Sequence, residues 1–289
     1  MKLLTIDSRE VTGRPGVLVD NGDILDLAVA PSSLSDSQWI PHSIVSVLAA
    51  GRKGLENVER LIAAAAKTDR QQLLNDGTLL PYTGTVLLAP IRRPGLVLIV
   101  DSHDSGYIKS PNAATGPGAS VNIPWPDVDT LWGSPMIACV IGRPFFKANA
   151  AEAAEAIAGY TLLIDLSARK PDAAADVSAW RRLMDSRQFP GACPIGPTIV
   201  TRDEFGDPAD ESLSVRINDV EVGAGALWPA DRDPGRLLSD LSQRFEFRPG
   251  DLVALEPVAG SAGTPRELHP GDRFCAGRAD IIDLDVTIA

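Results

Sequence analysis

The chain has 289 residues and a formal net charge of −11, with 27 Lys and Arg against 38 Asp and Glu. This acidic balance argues against a nucleic-acid-binding protein, because phosphate contacts require a basic surface. Hydrophobic residues make up 44% of the chain, which is enough for a sizeable buried core. No apolar window reaches the length of a transmembrane helix, and the N-terminus lacks a signal-peptide pattern. We therefore expect a cytoplasmic protein without membrane association.

The first part of the chain combines short strands with two helices. The spacing of apolar residues and the positions of turn residues predict these strands and helices, together with a tight hairpin turn at residues 21–23. Residues 68–82 have no clear pattern. The predicted elements are strands 2–6, 16–19, 24–27, 85–88 and 97–100, and helices 43–50 and 54–67. The proline-rich stretch 90–94 separates the last two strands. We therefore divide the chain into a small N-terminal domain, 1–92, and a main domain, 93–289.

The main domain is predicted to be rich in strands. Residues 107–123 are extended, and Asn149 followed by Glu152 is typical of a helix start. The other predicted elements are strands 135–143, 161–164, 197–200, 252–255 and 281–288, a hairpin over 212–222, and helices 149–160, 171–187 and 234–247. Many strands with few helices between them predict an α+β fold around a β-sandwich, barrel or roll, not a doubly wound parallel sheet.

The most informative stretch is 159–170, which reads GYTLLIDLSARK. An apolar strand here ends on a polar cluster, Asp165, Ser167, Arg169 and Lys170. Ser167 to Lys170 match the S-x-x-K pattern of penicillin-binding proteins, but the two further motifs of those enzymes are missing. The three cysteines are far apart in apolar contexts, which favours buried free thiols over a zinc site.

Several motifs in the same order resemble the fumarylacetoacetate hydrolase family over nearly the whole chain. Its "A-G-Y-T-V-x-N-D-V-S-A-R-D" phrase is similar to residues 158–170. The other matching stretches are LLAPIRRPGL at 87–96, YIKSPNAATGPG at 107–118, MIACVIGR at 136–143, FPGACPIGPTIVT at 189–201 and FRPGDLV at 247–253. The resemblance implies a mixed β-roll with a small N-terminal α+β domain, usually a homodimer. It also implies hydrolysis, decarboxylation, tautomerisation or hydration of 2-oxo and 1,3-dioxo acids, with a divalent cation, usually magnesium.

The chain departs from this family at the positions that hold the metal. The family uses a Glu-x-Glu pair and an aspartate. Asp165 matches the aspartate, but the pair falls on Ser134 and Met136, and a hard cation requires several oxygen ligands. We therefore expect no bound cofactor, with Mg²⁺ on Asp104 and Asp165 as the alternative. The lid segment after residue 100 is shortened, and the lysine of a later motif falls on Arg187.

The candidate site residues follow from the resemblance and from their chemistry. His103 is the best general acid or base, since its ordinary pKa lies near neutrality. The alternatives are that Asp165 is structural, that the arginines pair with carboxylates, and that the lysines are solvated. The catalytic candidates are His103, Asp104, Lys109, Asp165 and Arg187. The substrate-binding candidates are Tyr107, Trp132, Ser134, Ser167, Arg169, Lys170 and Glu256.

Three functions are consistent with these residues. The first is an enzyme that acts without metal on a small anionic or enolic substrate, a dicarbonyl or 2-oxo acid, by C–C hydrolysis, decarboxylation, tautomerisation or a biosynthetic cyclisation. The second is a metal-dependent acylpyruvate or fumarylacetoacetate-type hydrolase with relocated ligands. The third is a non-catalytic binding or partner homologue. We place the first ahead, because the predicted pocket remains polar although the metal ligands have changed.

Overall fold

The computed structural model describes residues 1–8, 13–35, 40–100, 106–126, 128, 130–168, 186–257, 261–278 and 281–289. Four predicted site residues lie outside these ranges: His103, Asp104, Arg169 and Lys170. Most of the predicted helix over 171–187 also lies outside them.

The described residues form short helices and many strands. The helices are α1 Ala30–Ser33, α2 Ile44–Ala49, α3 Gly51–Ala65, α4 Arg70–Asn75, α5 Ala150–Glu155, α6 Arg202–Phe205 and α7 Pro234–Ser242. The strands are β1 Lys2–Ile6, β2 Arg14–Leu18, β3 Asp23–Asp26, β4 Leu79–Pro81, β5 Leu87–Leu88, β6 Val97–Val100, β7 Gly106–Lys109, β8 Ala114–Thr115, β9 Ala119–Val121, β10 Leu131–Ile141, β11 Ile157–Ala168, β12 Cys193–Thr201, β13 Ser212–Ile217, β14 Val220–Ala226, β15 Leu252–Leu255, β16 Arg266–Leu268, β17 Arg273–Arg278 and β18 Ile281–Ile288. None of the described helices has the length and apolar character that a bilayer span requires.

Two sheets organise the part of the chain that the structure describes. The larger, of 13 strands, runs in the order β4-β3-β2-β1-β12-β11-β10-β15-β6-β7, with β5, β8 and β16 joined at its sides. The smaller, of 5 strands, runs β14-β13-β17-β18-β9. Most pairs are antiparallel, but β6–β15, β8–β12 and β9–β18 are parallel. The predicted α+β class with a mixed β-roll core is confirmed.

The N-terminal strands continue the larger sheet. β1 pairs with β12 through Lys2–Val200 and Leu3–Ile199, so hydrogen bonds cross between the two predicted domains. The helices α1 to α4, which lie between β3 and β4 in the chain, pack against this sheet, and Leu61 of α3 is fully buried. The domain boundary at residues 92 and 93 stays a prediction.

The centre of the larger sheet is the long pair β10–β11. β11 covers 12 residues, whereas the sequence predicted a strand over 161–164 only. The predicted helix over 149–160 was wrong in its second half, because it ends at Glu155 and the chain then enters the strand. Asn149 and Glu152 do form the predicted capping box. Gly159 permits the close approach of β12, since a Cβ there would lie 2.2 Å from the carbonyl oxygen of Val200.

Outside this strand pair, some predictions from local sequence patterns are confirmed and others are not. Residues 68–82, which lack a clear pattern, contain α4 and β4, and Asp69 caps α4 by accepting a hydrogen bond from the amide of Gln72. The hairpin over 212–222 is confirmed, and both Asn218 and Asp219 adopt positive φ in its turn, at 52° and 66°. The predicted helix over 234–247 ends at Ser242. All three cysteines are free and buried, as predicted.

Candidate active site

The candidate site centres on Asp165, near the end of β11. Its carboxylate is almost fully buried, with 1% of the side chain exposed. Lys109 and Arg187 each form an ion pair with it, and the hydroxyl of Tyr107 donates to Oδ2 at 2.7 Å. Both carboxylate oxygens therefore have donors, and two of the three donors are cations. We call Tyr107, Lys109, Asp165 and Arg187 the Asp165 cluster.

Two members of the cluster come from β7, at the far end of the larger sheet. Residues along β7 alternate between exposed and buried, which directs Tyr107 and Lys109 into the interior. Their hydrogen bonds to Asp165 show that the sheet curves until β7 and the end of β11 meet. Lys109 is fully buried and also donates to the carbonyl of Leu166 at 3.0 Å. A buried ammonium requires such partners, because its desolvation is otherwise very unfavourable.

Arg187 is the member of the cluster that reaches solvent, with 17% of its side chain exposed. Its Nη1 donates to Asp165 and to the Tyr107 hydroxyl, the second at 2.6 Å. The guanidinium carbon also lies 4.9 Å from the centre of the Tyr107 ring, in a cation–π contact. Nε of Arg187 is buried and has no hydrogen-bond partner among the described residues. One donor of this guanidinium is therefore unused by the described residues, although solvent does not reach it.

The charges around the cluster shift two pKa values in the same direction. Burial and the neighbouring Asp165 carboxylate raise the pKa of Tyr107 well above its usual range, so this hydroxyl keeps its proton at neutral pH. Burial opposes the charged form of Arg187, but Asp165 and Tyr107 outweigh that effect and raise its pKa. Glu256 lies close enough to raise the pKa of both groups as well. The cluster itself carries one carboxylate and two cations.

The substrate-binding candidates on β10 and β11 share one face of the sheet. Ser134 lies opposite Asp165, and the half-buried Trp132 lies opposite Ser167. Because side chains two apart on a strand point the same way, these four face the same side. The Ser134 hydroxyl donates to the carbonyl of Gly263 at 2.7 Å, so its proton is already engaged.

The described residues do not fit a divalent cation at Asp165. Both of its oxygens accept hydrogen bonds, two from cations that would repel a metal ion. Met136, at the second position of the lost pair, is buried and offers only a soft thioether. No group of three metal-ligating side chains occurs in the described ranges. Asp104, the other candidate ligand, lies outside them.

Two neighbours of the cluster, Cys193 and Gln188, are not among the site residues predicted from the sequence. Cys193 of β12 is buried so close to Lys109 and Asp165 that both influence it, and burial raises the pKa of its thiol to about 12. Gln188 follows Arg187 and hydrogen-bonds to the backbone of β7. Neither could be predicted from local patterns, because the contacts join segments about 80 residues apart.

Comparison with known proteins places this fold and site in a family. The family model for the fumarylacetoacetate (FAA) hydrolase C-terminal domain matches residues 98–289. The chain belongs to the fumarylacetoacetate hydrolase family, as its motifs predicted. The predicted enzyme of this family type is confirmed too, because its relatives include tautomerases and hydrolases.

The relatives share modest sequence identity with this chain. An oxaloacetate tautomerase from Bacillus subtilis is 24% identical over 90% of both chains. A mitochondrial oxaloacetate tautomerase from Homo sapiens is 27% identical over 69% of this chain and 66% of its own length. The maleylpyruvate hydrolase from Sphingobium sp. SYK-6 has the same fold, with a TM-score of 0.73, 20% identity and coverage of 100% and 99% of the two chains. That hydrolase has also been solved in complex with manganese(II) ion and pyruvate.

Proposed function

We propose that this protein binds an anionic 2-oxo acid at the Asp165 cluster and catalyses its keto–enol tautomerisation without a bound metal ion. The observation that carries the proposal is the neutralisation of Asp165 by Lys109 and Arg187. These two cations supply positive charge at the position where relatives of this fold are expected to hold a divalent ion. The four residues of the cluster therefore supply two cations and one carboxylate before any substrate binds, with Glu256 close by.

The reaction class follows from where charge develops. Interconversion of a 2-oxo acid and its enol passes through an enolate, whose oxygen is stabilised by a fixed cation or hydrogen-bond donor. Arg187 fits this role, since its side chain is the partly exposed cation of the cluster. Among the chemistries considered, tautomerisation is favoured because two relatives are oxaloacetate tautomerases. A 2-oxo dicarboxylic acid is accordingly the first substrate to test.

The individual roles follow from the contacts. Lys109 holds Asp165 in place and does not reach solvent, so it acts on the substrate through charge. Tyr107 keeps its proton and orients Arg187. We assign to His103, next to Asp104 in the chain, the removal of the proton from carbon and its return to the enolate oxygen, so that no proton is gained or lost overall. Trp132, Ser167 and Glu256, with Arg169 and Lys170 beyond the described strand end, complete the proposed substrate-binding set.

A metal-depletion experiment tests this function. The protein is treated with a chelator, its metal content is measured by mass spectrometry, and enol consumption is followed by ultraviolet absorbance. Turnover is expected to stay within about twofold of the untreated protein. Activity that disappears and returns with Mg²⁺ or Mn²⁺ would overturn the metal-free mechanism and favour relocated ligands. No turnover of any 2-oxo acid under either condition would overturn the function itself.

A pair of arginine variants locates the activity. Arg187→Met removes the proposed enolate-binding cation, so turnover should fall by roughly a hundredfold or more. Arg52→Met removes an arginine that is 92% exposed on α3 and should leave turnover unchanged. Equal activity in the two variants would place the reaction elsewhere.

The proposal extends to assembly and location. We propose a homodimer in the cytoplasm, acting on a small molecule in a biosynthetic or related pathway. Light scattering coupled to size-exclusion chromatography tests the assembly, and a monomer mass at micromolar concentration would contradict it.

A further inference from the structure

We propose that Gln188 is a positioning residue, which fixes the geometry of the Asp165 cluster by pairing with the open edge of β7. The inference rests on the proposed function, because it assigns the cluster as the place where substrate binds. Gln188 is half-buried and is not among the site residues predicted from the sequence. Its role follows from two side-chain hydrogen bonds to the backbone.

The side-chain amide of Gln188 forms the two hydrogen bonds that a peptide group of a neighbouring strand would form with β7 and the residue after it. Its Nε2 donates to the carbonyl of Ile108 at 3.1 Å, and its Oε1 accepts from the amide of Ser110 at 2.6 Å. β7 pairs on its other side with β6 and is the last strand in the order of the larger sheet. Residues two apart on a strand direct their backbone groups the same way, so one amide can satisfy both.

This pairing joins the two segments that form the cluster. Gln188 follows Arg187 in the chain, and Ile108 lies between Tyr107 and Lys109. Arg187 contacts Tyr107 on the inner side of β7, while Gln188 holds the edge of the same strand. The consecutive residues Arg187 and Gln188 therefore hold β7 at two points, the Tyr107 hydroxyl and the Ile108 carbonyl. The distance of 2.6 Å between Arg187 Nη1 and the Tyr107 hydroxyl depends on this register.

Gln188 acts on the site through these neighbours and does not belong to the reacting groups. Among the described residues, its side-chain hydrogen bonds go to the backbone of Ile108 and Ser110, and the Ile108 side chain is 42% exposed on the outer side of β7. Loss of the pairing would leave the charge of Arg187 intact. It would also let the guanidinium and the Tyr107 hydroxyl move relative to each other, and small misplacements of such groups strongly slow catalysis.

The test compares two glutamine-to-methionine variants. Gln188→Met keeps the length and volume of the side chain but removes both hydrogen bonds. Gln71→Met is the matched control, since Gln71 also donates a side-chain hydrogen bond, to Asn75 at 3.0 Å, on the exposed face of α4. Two readouts are measured: the nuclear magnetic resonance signal of the Arg187 Nε–H group, assigned by its loss in Arg187→Lys, and the separate values of kcat and KM for the 2-oxo acid.

Gln188→Met is expected to shift or broaden the Arg187 Nε–H signal and to lower kcat roughly tenfold with a smaller change in KM, because the charge remains but its alignment is lost. Gln71→Met should leave both unchanged. An unchanged Arg187 signal in Gln188→Met, or a KM effect without a kcat effect, would overturn the inference. The spectroscopic readout requires no turnover. A shifted signal together with no activity in any variant would therefore support the role of Gln188 and contradict the proposed function.

Discussion

Ser134 lies directly opposite Asp165 in the β10–β11 pair, and its hydroxyl donates to the carbonyl of Gly263 at 2.7 Å. The resemblance to the family places a metal ligand at this position. In this protein the same position ties the loop around Gly263 to the central strand. A Cβ at Gly263 would lie 2.1 Å from Pro257, so this loop also packs tightly against the segment that follows β15.

Ser134→Ala is expected to lower the free energy of unfolding by about 1–2 kcal/mol, because it leaves a buried carbonyl without its donor. Urea denaturation followed by circular dichroism measures the change. Ser120→Ala on β9 is the control, since Ser120 is exposed, and it should change stability by less than about 0.5 kcal/mol. Equal stability of the two variants would show that the Ser134 hydrogen bond contributes nothing.

The pairing of Lys109 with Asp165 predicts strong coupling between two substitutions. Lys109→Met leaves Asp165 with Arg187 and Tyr107 only, and removing one partner of a buried pair costs about 3 kcal/mol. Asp165→Asn leaves the buried ammonium without its carboxylate. The double variant should be more stable than the sum of the two effects by more than about 1 kcal/mol, because neither charge then remains unpaired. Additive effects in denaturant unfolding would contradict this pairing.

The sequence predicted the strand that leads to Asp165 and grouped Lys109 and Arg187 with it in one candidate site, but it did not determine that both cations pair with this carboxylate. Apolar residues and a capping pattern identify β11 and the helix before it, because those signals are local. The motifs identified the family, and with it the β-roll. The contacts of Lys109 and Arg187 with Asp165 join positions 56 and 22 residues apart, and depend on how far the sheet curves. No periodicity encodes that curvature.

The same dependence on long-range contacts explains why the sequence does not predict the hydrogen bonds of Ser134 and Gln188. The resemblance predicts that Ser134 binds substrate, because it occupies a position at which the family holds its metal. In the structure its proton is used by the carbonyl of Gly263, which lies 129 residues away in the chain, and substrate contact by Ser134 stays a prediction. Gln188 lies in no recognisable sequence motif. Its partners are backbone groups, and these are available to a side chain because β7 is the last strand in the described order of the larger sheet.

Arg187→Lys tests whether the shape of the cation matters as well as its charge. The guanidinium contacts Asp165 and Tyr107 at once and stacks on the Tyr107 ring, whereas an ammonium is a compact point charge. Turnover of the 2-oxo acid should fall by roughly tenfold or more, measured as kcat. Arg52→Lys on the exposed face of α3 should have no effect. Full activity in Arg187→Lys would show that charge alone is sufficient.

The thiols are expected to be unreactive in the native protein. Burial raises the pKa of Cys193 to about 12 and that of Cys275 to about 11, and it raises the pKa of Cys139 still further. Because the thiolate is the reactive form, a disulfide reagent at about pH 8 should modify none of them until denaturant is added, and then all three. A fast-reacting native thiol would contradict the burial of the cysteines.

Asp251 predicts a pH dependence whose sign can be checked. Burial raises the pKa of Asp251 in the folded protein, so its contribution to stability is present below the unfolded pKa and is lost as pH rises through the folded value. The stability of the wild type relative to Asp251→Asn should therefore fall as pH rises above about pH 4, the ordinary pKa of an aspartate. Asp272 is the control of opposite sign, because hydrogen bonding from the His269 amide lowers its pKa. Stability relative to Asp272→Asn should instead rise with pH below about pH 4, the ordinary pKa of an aspartate, and should stay level above it in urea unfolding. Trends of the same sign in the two variants would contradict both assignments.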